Sequence, residues 1–331
     1  MRIRVSLARA AGALAVFLIC APLAWAQQPP ATSAWPARPV RIIVPFPPGG
    51  STMELVVRLL TQEMPKSLGR QVLVENRPGA GTVIGVDAAA KSNDNHTFVG
   101  VANSFTVNHT LVKALPYDTL KDLQPVVLMA RTPNVLAAHP SVAPATLKEL
   151  IAYAKKNPGK LTYASFGNGT TAHFAGEMLK TMAGVQMIHV PYKGQGPALA
   201  DLLAGNVDVM FGNLPDFLPH IRSGKLKAYG TTFLARVPQA KDLPTIAEQG
   251  FPGFETDSWY GLLAPIATPK EAVARMNAEI NRALDNPTLR QTFIERGLEP
   301  IGGTPEKLGE HLRKEIAKYE QIVKQANIRI D

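Results

Sequence analysis

Short β-branched runs alternate along this 331-residue chain with stretches whose apolar positions recur every three or four residues. A period near 2 marks strands and one near 3.6 marks helices. Strands are predicted at 40–44, 71–75, 97–101, 126–130, 134–138, 161–165, 187–190, 207–211, 226–231 and 258–264, with helices between most of them, including one over 54–60. Thr146 followed by Glu149 is a capping box that opens a helix to Lys156. Thr268 and Glu271 repeat that spacing with Pro269 at the first helical position. Thr304 before Pro305 opens the last helix, where Leu308, Leu312, Ile316 and Tyr319 share one face. Strands alternating with helices predict an α/β class with largely parallel sheets.

Two breaks interrupt the pattern. Arg131, Thr132 and Pro133 separate two predicted strands, and Pro252-Gly253 precedes the segment from Phe254 to Trp259. Two crossings predict a hinged pair of lobes: a discontinuous lobe 1 over 38–131 plus 254–331, and an inserted lobe 2 over 132–253. A ligand in such an architecture sits in the cleft, at the carboxyl ends of strands.

The first 26 residues read as a signal peptide. Arg2, Arg4 and Arg9 form a basic start, Ala10 to Ala21 is apolar, and Ala24-Trp25-Ala26 fits a cleavage site. Residues 27–37, rich in Gln, Pro and Ala, read as a flexible lead-in. No later stretch reaches the roughly 20 apolar residues of a membrane span. Ile19 before Cys20 does not suit a lipid anchor, so a soluble exported protein is expected. Cys20 is the only cysteine and leaves with the leader, which excludes disulfides and thiolate chemistry from the mature chain. Losing three arginines lowers the formal charge from +9 to +6. That charge suits an anionic ligand or a solvated basic surface, and export argues against a nucleic-acid partner.

Four segments carry candidate chemistry. In Val44-Pro-Phe-Pro-Pro-Gly-Gly-Ser-Thr52, a strand passes through Phe46, Gly49 and Gly50 to the capping hydroxyls Ser51 and Thr52. Backbone N–H groups and a helix dipole then converge where an anion can bind, although a purely structural turn has the same composition. Glu75-Asn-Arg-Pro-Gly-Ala-Gly-Thr82 follows another strand. Glycines at 79, 81 and 85 miss the dinucleotide spacing, so the N–H groups of Ala80, Gly81 and Thr82 are read as facing a carboxylate. Ser165-Phe-Gly-Asn-Gly-Thr-Thr-Ala-His173 opens a helix with Gly169, Thr170 and Thr171 at its start; His173 either meets ligand or is satisfied by neighbouring backbone. His189-Val-Pro-Tyr-Lys-Gly-Gln-Gly-Pro197 sets Tyr192 and Lys193 where they reach a cleft, or leaves Lys193 a surface charge. The histidines show no metal-ligand spacing and there is no GxSxG elbow, so neither a metal site, a cofactor nor a catalytic group is expected.

These four segments in this order resemble the periplasmic solute-binding proteins of the tripartite tricarboxylate transporter family, the Bug-type receptors. The likeness runs over the mature chain through VPFPPGGST (44–52), VENRPGAG (74–81), HVPYKGQGPALADLLAGNVDVMF (189–211), NLPDFLPHIRSGKLKA (213–228), LPTIAEQGFPGFE (243–255) and WYGLLAPIATP (259–269). The resemblance implies a type II periplasmic binding protein: two α/β lobes with a hinge and an interlobe cleft. It implies a carboxylate held by backbone N–H groups and water around Phe46–Thr52 and Gly79–Thr82. From the other side come Gly169-Thr170-Thr171 and Tyr192-Lys193-Gly194, with Asn103, Ser104 and Asn213 completing the expected site.

The chain departs from the family pattern at three places. Met53 and Gly212 stand where Asp is common, and Thr82 stands where Gly often does. Losing the two Asp partners points to a carboxylate ligand without an α-amino group, and marks positions 53 and 212 as the first to restore to Asp. Phe46, Phe166, Phe174 and Trp259 offer an apolar wall, or simply core. The expectation is an exported periplasmic receptor, not an enzyme, that delivers an organic carboxylate to inner-membrane permease subunits. A sensor for a two-component kinase, a scavenging binder and an exported enzyme on the same scaffold are the alternatives.

Overall fold

A computed structural model describes residues 35–49 and 51–326. The expected leader over 1–26, residues 27–34 of the lead-in, and Gly50 lie outside the described residues. The chain runs β1 (Val40–Val44), α1 (Thr52–Thr61), α2 (Met64–Leu68), β2 (Val72–Asn76), α3 (Val83–Ala90), β3 (Thr97–Val101), α4 (Asn103–Leu111) and β4 (Leu123–Ala138). It continues through α5 (Leu147–Lys156), β5 (Thr162–Ser165), α6 (Thr171–Ala183), β6 (Ile188–Pro191), α7 (Gln195–Ala204), β7 (Val209–Asn213), α8 (Leu214–Arg222) and β8 (Lys227–Thr231). It closes with β9 (Asp257–Pro265), α9 (Lys270–Asp285), α10 (Pro287–Glu295), β10 (Glu299–Pro300) and α11 (Pro305–Ala326).

The strands form two α/β lobes. One sheet has the order β2-β1-β3-β9-β4 with β10 on β4; the other carries β4 onward to β7, β5 and β6, with β8 on its far side. Alternation along the strands sends side chains to both faces. Ile42 and Val44 of β1 join the core under α1 and α9, whereas Ile43 joins the core formed with α3 and α11. In the second sheet Val209 and Phe211 pack to one side and Met210 to the other.

The expected break at Arg131-Thr132-Pro133 is instead the middle of β4, a single 16-residue strand shared by both lobes. Its first part pairs with β9, as far as Pro133 opposite Asp257, and its last part, from Asn134, pairs with β7 and β8. Pro133 offers no N–H to a ladder and sits where the strand changes partners. The return path runs along β9, where Ser258 pairs with Thr132, while Phe254 is still buried against Phe211 at 6.1 Å between rings. These crossing strands also correct the expectation of largely parallel sheets. The β1–β2, β1–β3, β5–β6 and β5–β7 pairs are parallel, and every antiparallel pair among the described residues involves β4 or β9.

The capping box at Thr146 forms as expected. The one at Thr268 does not. Its N–H donates to the Pro265 carbonyl and its carbonyl accepts from Gln124, so the hydroxyl is turned away and buried without a partner, and Pro269 caps α9. Leu308, Leu312, Ile316 and Tyr319 are all buried along α11. Among the described residues no helix is long and apolar enough to cross a membrane.

Candidate functional site

The carboxyl ends of β1, β3, β5, β6 and β7 each lead into a helix, and all five helix starts meet at one cavity between the lobes. Lobe 1 contributes Ser51, Thr52 and Met53 at α1, and Ala102, Asn103 and Ser104 at α4. Lobe 2 contributes Thr170 and Thr171 at α6, Gly194 and Gln195 at α7, and Asn213 before α8. Ser258 and Tyr260 close it from β9, and Phe46 and Phe166 form an aromatic rim. The cavity measures about 50 Å³. Since one water needs about 10–15 Å³ of such volume, it holds a few waters or a small solute. None of the lining side chains carries a formal charge.

The first N–H groups of a helix have no partner inside it. At α1, Ser51 Oγ accepts from the Glu54 N–H at 3.2 Å and caps the helix. Thr52 does not cap; its hydroxyl crosses the cleft and donates to Asp216 Oδ2 at 2.7 Å. Asn213 Nδ2 donates back to Thr52 Oγ1 and to Tyr260 Oη, both at 3.0 Å, and its Oδ1 accepts from Ser258 at 2.7 Å and Asn134 at 2.8 Å. Thr171 Oγ1 lies 2.8 Å from Ser258 Oγ. Gln195 accepts from the Asn213 N–H at 2.8 Å and donates to Asp216. Burial pushes the Asp216 carboxyl up to about 6, against the lowering effect of the Thr52 and Gln195 hydrogen bonds. Tyr260, fully enclosed, is pushed above the ordinary phenol range, with burial the main cause.

The structure thus brings Phe46, Ser51, Thr52, Asn103, Ser104, Thr170, Thr171, Gly194 and Asn213 to one place. Other candidates stand elsewhere. The Gly49 N–H is used by Glu54 Oε2 at 2.7 Å. Gly79, Ala80, Gly81 and Thr82 form a turn with four consecutive positive φ values, 132°, 45°, 61° and 84°. Within it the Thr82 N–H donates to the Gly79 carbonyl at 3.0 Å, so it is not free for a ligand, and the turn reaches the cavity wall only through Thr82 Oγ1 and Ser104 Oγ, 3.2 Å apart. The Gly169 N–H donates to His173 Nδ1 at 3.2 Å, which satisfies that histidine locally. His173 stacks on His189 at 4.2 Å, behind the cavity wall. Tyr192 turns to Asp201 at 2.7 Å, and Lys193 is exposed. Phe46 and Phe166 supply the apolar wall, whereas Phe174 packs on Tyr319 and Trp259 is core, its indole N–H on Glu315.

Gln195, Ser258 and Tyr260 were not anticipated. Ser258 and Tyr260 flank Trp259 in a predicted strand, so a period of two already put them on one face, opposite the buried indole. Met53, where an acidic residue was noted as missing, is buried with its Sδ against Gly100 and forms part of the wall.

A family model described as the tripartite tricarboxylate transporter family receptor matches residues 56–328. Protein BugT of Bordetella pertussis is 35% identical over 328 residues, covering 98% of this chain and 99% of that protein. The structure of Rpa4515 of R. palustris with adipate is 35% identical, with a TM-score of 0.86 over 89% of this chain and 99% of that one. MatC (Rpa3494) of Rhodopseudomonas palustris with bound malate is 34% identical, with a TM-score of 0.80 over 87% and 99% of the two chains. The fold is that of the periplasmic binding proteins, as the resemblance implied. By model match and by full-length likeness, the chain belongs to the tripartite tricarboxylate transporter receptor family.

Proposed function

We propose that this chain captures a small organic carboxylate in the interlobe cavity and presents it to a membrane permease. The observation that carries the reading is the meeting of five helix N-termini at a cavity without a charged side chain. Each N-terminus carries roughly half a positive charge, and neutral N–H and hydroxyl donors bind a carboxylate well once water is excluded. The hydroxyls of Ser51, Ser104 and Tyr260 are the side-chain donors assigned to the ligand, since those of Thr52, Thr170 and Thr171 and the Asn213 amide already donate within the protein, and Phe46 and Phe166 cover its carbon skeleton. The relatives support the chemistry: adipate and malate, named with Rpa4515 and MatC, are both dicarboxylates.

The lobes, 38–131 with 254–331 and 132–253, close on the ligand by population shift about β4 and β9. Capture rather than turnover fits a lining of hydroxyls, amides and apolar groups with no base or nucleophile pair among them. Export to the periplasm and hand-over to permease subunits follow the family's role in a tripartite transporter. Met53 forms part of the wall and no carboxylate among the described residues lines the cavity, so the ligand carries no ammonium group. Calorimetry with malate, adipate and aspartate tests this: heat of binding is expected from at least one of the first two and not from aspartate. Tight aspartate binding overturns the ligand class, and silence across all carboxylates overturns the function.

A further inference from the structure

Asp216 has an unusual position. It lies in the first turn of α8 in lobe 2, yet the Thr52 hydroxyl that donates to it belongs to α1 of lobe 1. Its second partner, Gln195, is tied to the Asn213 N–H, and Asn213 is tied back to Thr52. The four residues make a closed ring across the cleft, joined at one point through the Asn213 backbone N–H, and three of them line the cavity. The groups that face Asp216 are all neutral: Thr52 from α1, Gln195 from α7, Asn213 from β7 and the Tyr260 phenol from β9. Separating the lobes would break the Thr52 contact, because its two partners belong to different lobes. Closing them encloses the carboxyl among dipoles with no cation beside it, which disfavours the charged form.

We propose that Asp216 is the latch of lobe closure and takes up a proton when the lobes come together, so that solute capture is proton-coupled. The inference rests on the receptor reading above. A positioning residue of this kind acts on the closed-to-open ratio and need not touch the ligand. An ordinary carboxyl near 3.8 in the open form and about 6 in the closed form favours closure as pH falls. The closed-to-open ratio is then about fourfold higher at pH 5.5 than at pH 8.

The test measures interlobe distances by double electron–electron resonance between spin labels at Lys66→Cys and Lys225→Cys, exposed sites in lobe 1 and lobe 2. It is run at pH 5.5 and pH 8, with and without adipate as the probe. The closed population of the otherwise unchanged protein is expected to fall about fourfold relative to open over that range. Asp216→Asn keeps an acceptor for Thr52 but cannot ionise and is expected to give a flat response, whereas Thr52→Val removes the partner across the cleft and is expected to lower the closed population at both pH values. A wild-type distribution that is the same at both pH values, or an equal response in Asp216→Asn, overturns the latch. A pH response that persists while adipate and malate bind neither protein upholds the latch and counts against the carboxylate reading alone.

Discussion

The Phe217 ring occupies the space that a side chain on Gly212 would need: a Cβ at 212 would lie 2.0 Å from the ring. Both residues are buried, Gly212 in the middle of the second sheet opposite Val135 and Phe217 one turn into α8. The missing acid at 212 is therefore the mark of a repacked core rather than a vacancy in the cleft. Gly212→Asp is expected to destabilise the protein by about 3 kcal/mol or more, through overpacking and a buried carboxylate. Chemical denaturation checks it, and a variant of unchanged stability shows that Phe217 moves aside freely.

Thr170 and Thr171 stand side by side but do different things. Thr170 Oγ1 donates to the Gly167 carbonyl at 2.7 Å and holds the turn, while Thr171 Oγ1 meets Ser258 across the lobes. Thr171→Ala is expected to weaken carboxylate binding by about 0.5–1.5 kcal/mol, a factor of roughly 2–10, because a lining hydroxyl and an interlobe contact are lost together. Adding Thr170→Ala is expected to weaken it further without unfolding the chain. Titration calorimetry of the single and double variants is the measurement, and an unchanged dissociation constant in both removes the α6 start from the site.

His189 provides a pH signature in lobe 2. Its Nε2 lies 2.7 Å from Ser165 Oγ, and its ring is sandwiched between Tyr163 and His173. Burial first, and the His173 neighbour second, hold it down to about 4 from an ordinary 6.5. The folded state thus binds this proton less well than the unfolded one, and stability is lost as pH falls from about 6.5 toward 4. Asp257, pushed up to about 6 by burial and by Glu315, acts in the opposite sense over an overlapping range. The histidine contribution is therefore isolated as a difference: His189→Gln is expected to gain about 1–3 kcal/mol relative to wild type between pH 7 and pH 4. A constant difference over that range assigns the acid sensitivity elsewhere.

How much of this was legible in the sequence depended on the kind of signal. Val40–Val44 and Thr97–Val101 were readable because a short apolar run between polar turns has one good outcome. The continuity of β4 was not, because Pro133 is ordinarily a break, and only the change of pairing partner from Asp257 to Asn213 makes it tolerable. Ser51 and Thr52 announced a helix start beside a Gly-rich turn, and that start does reach the cavity. His173, Tyr192 and Lys193 lay in equally suggestive segments, but the Gly169 N–H of the same turn holds His173 and Asp201 on the following helix holds Tyr192, which the residue types alone do not specify. Asp216 gave no local signal, since its role depends on Thr52, 164 positions away in the chain.

The central claim is that the cavity holds a carboxylate, and a thermal-shift screen of the ligand-stripped protein against mono-, di- and tricarboxylates tests it most directly. A ligand present at 100 times its dissociation constant adds about 2.7 kcal/mol of stability. A raised unfolding midpoint with at least one carboxylate, and none with its neutral amide, is the expected result. A midpoint that no carboxylate moves would contradict the account.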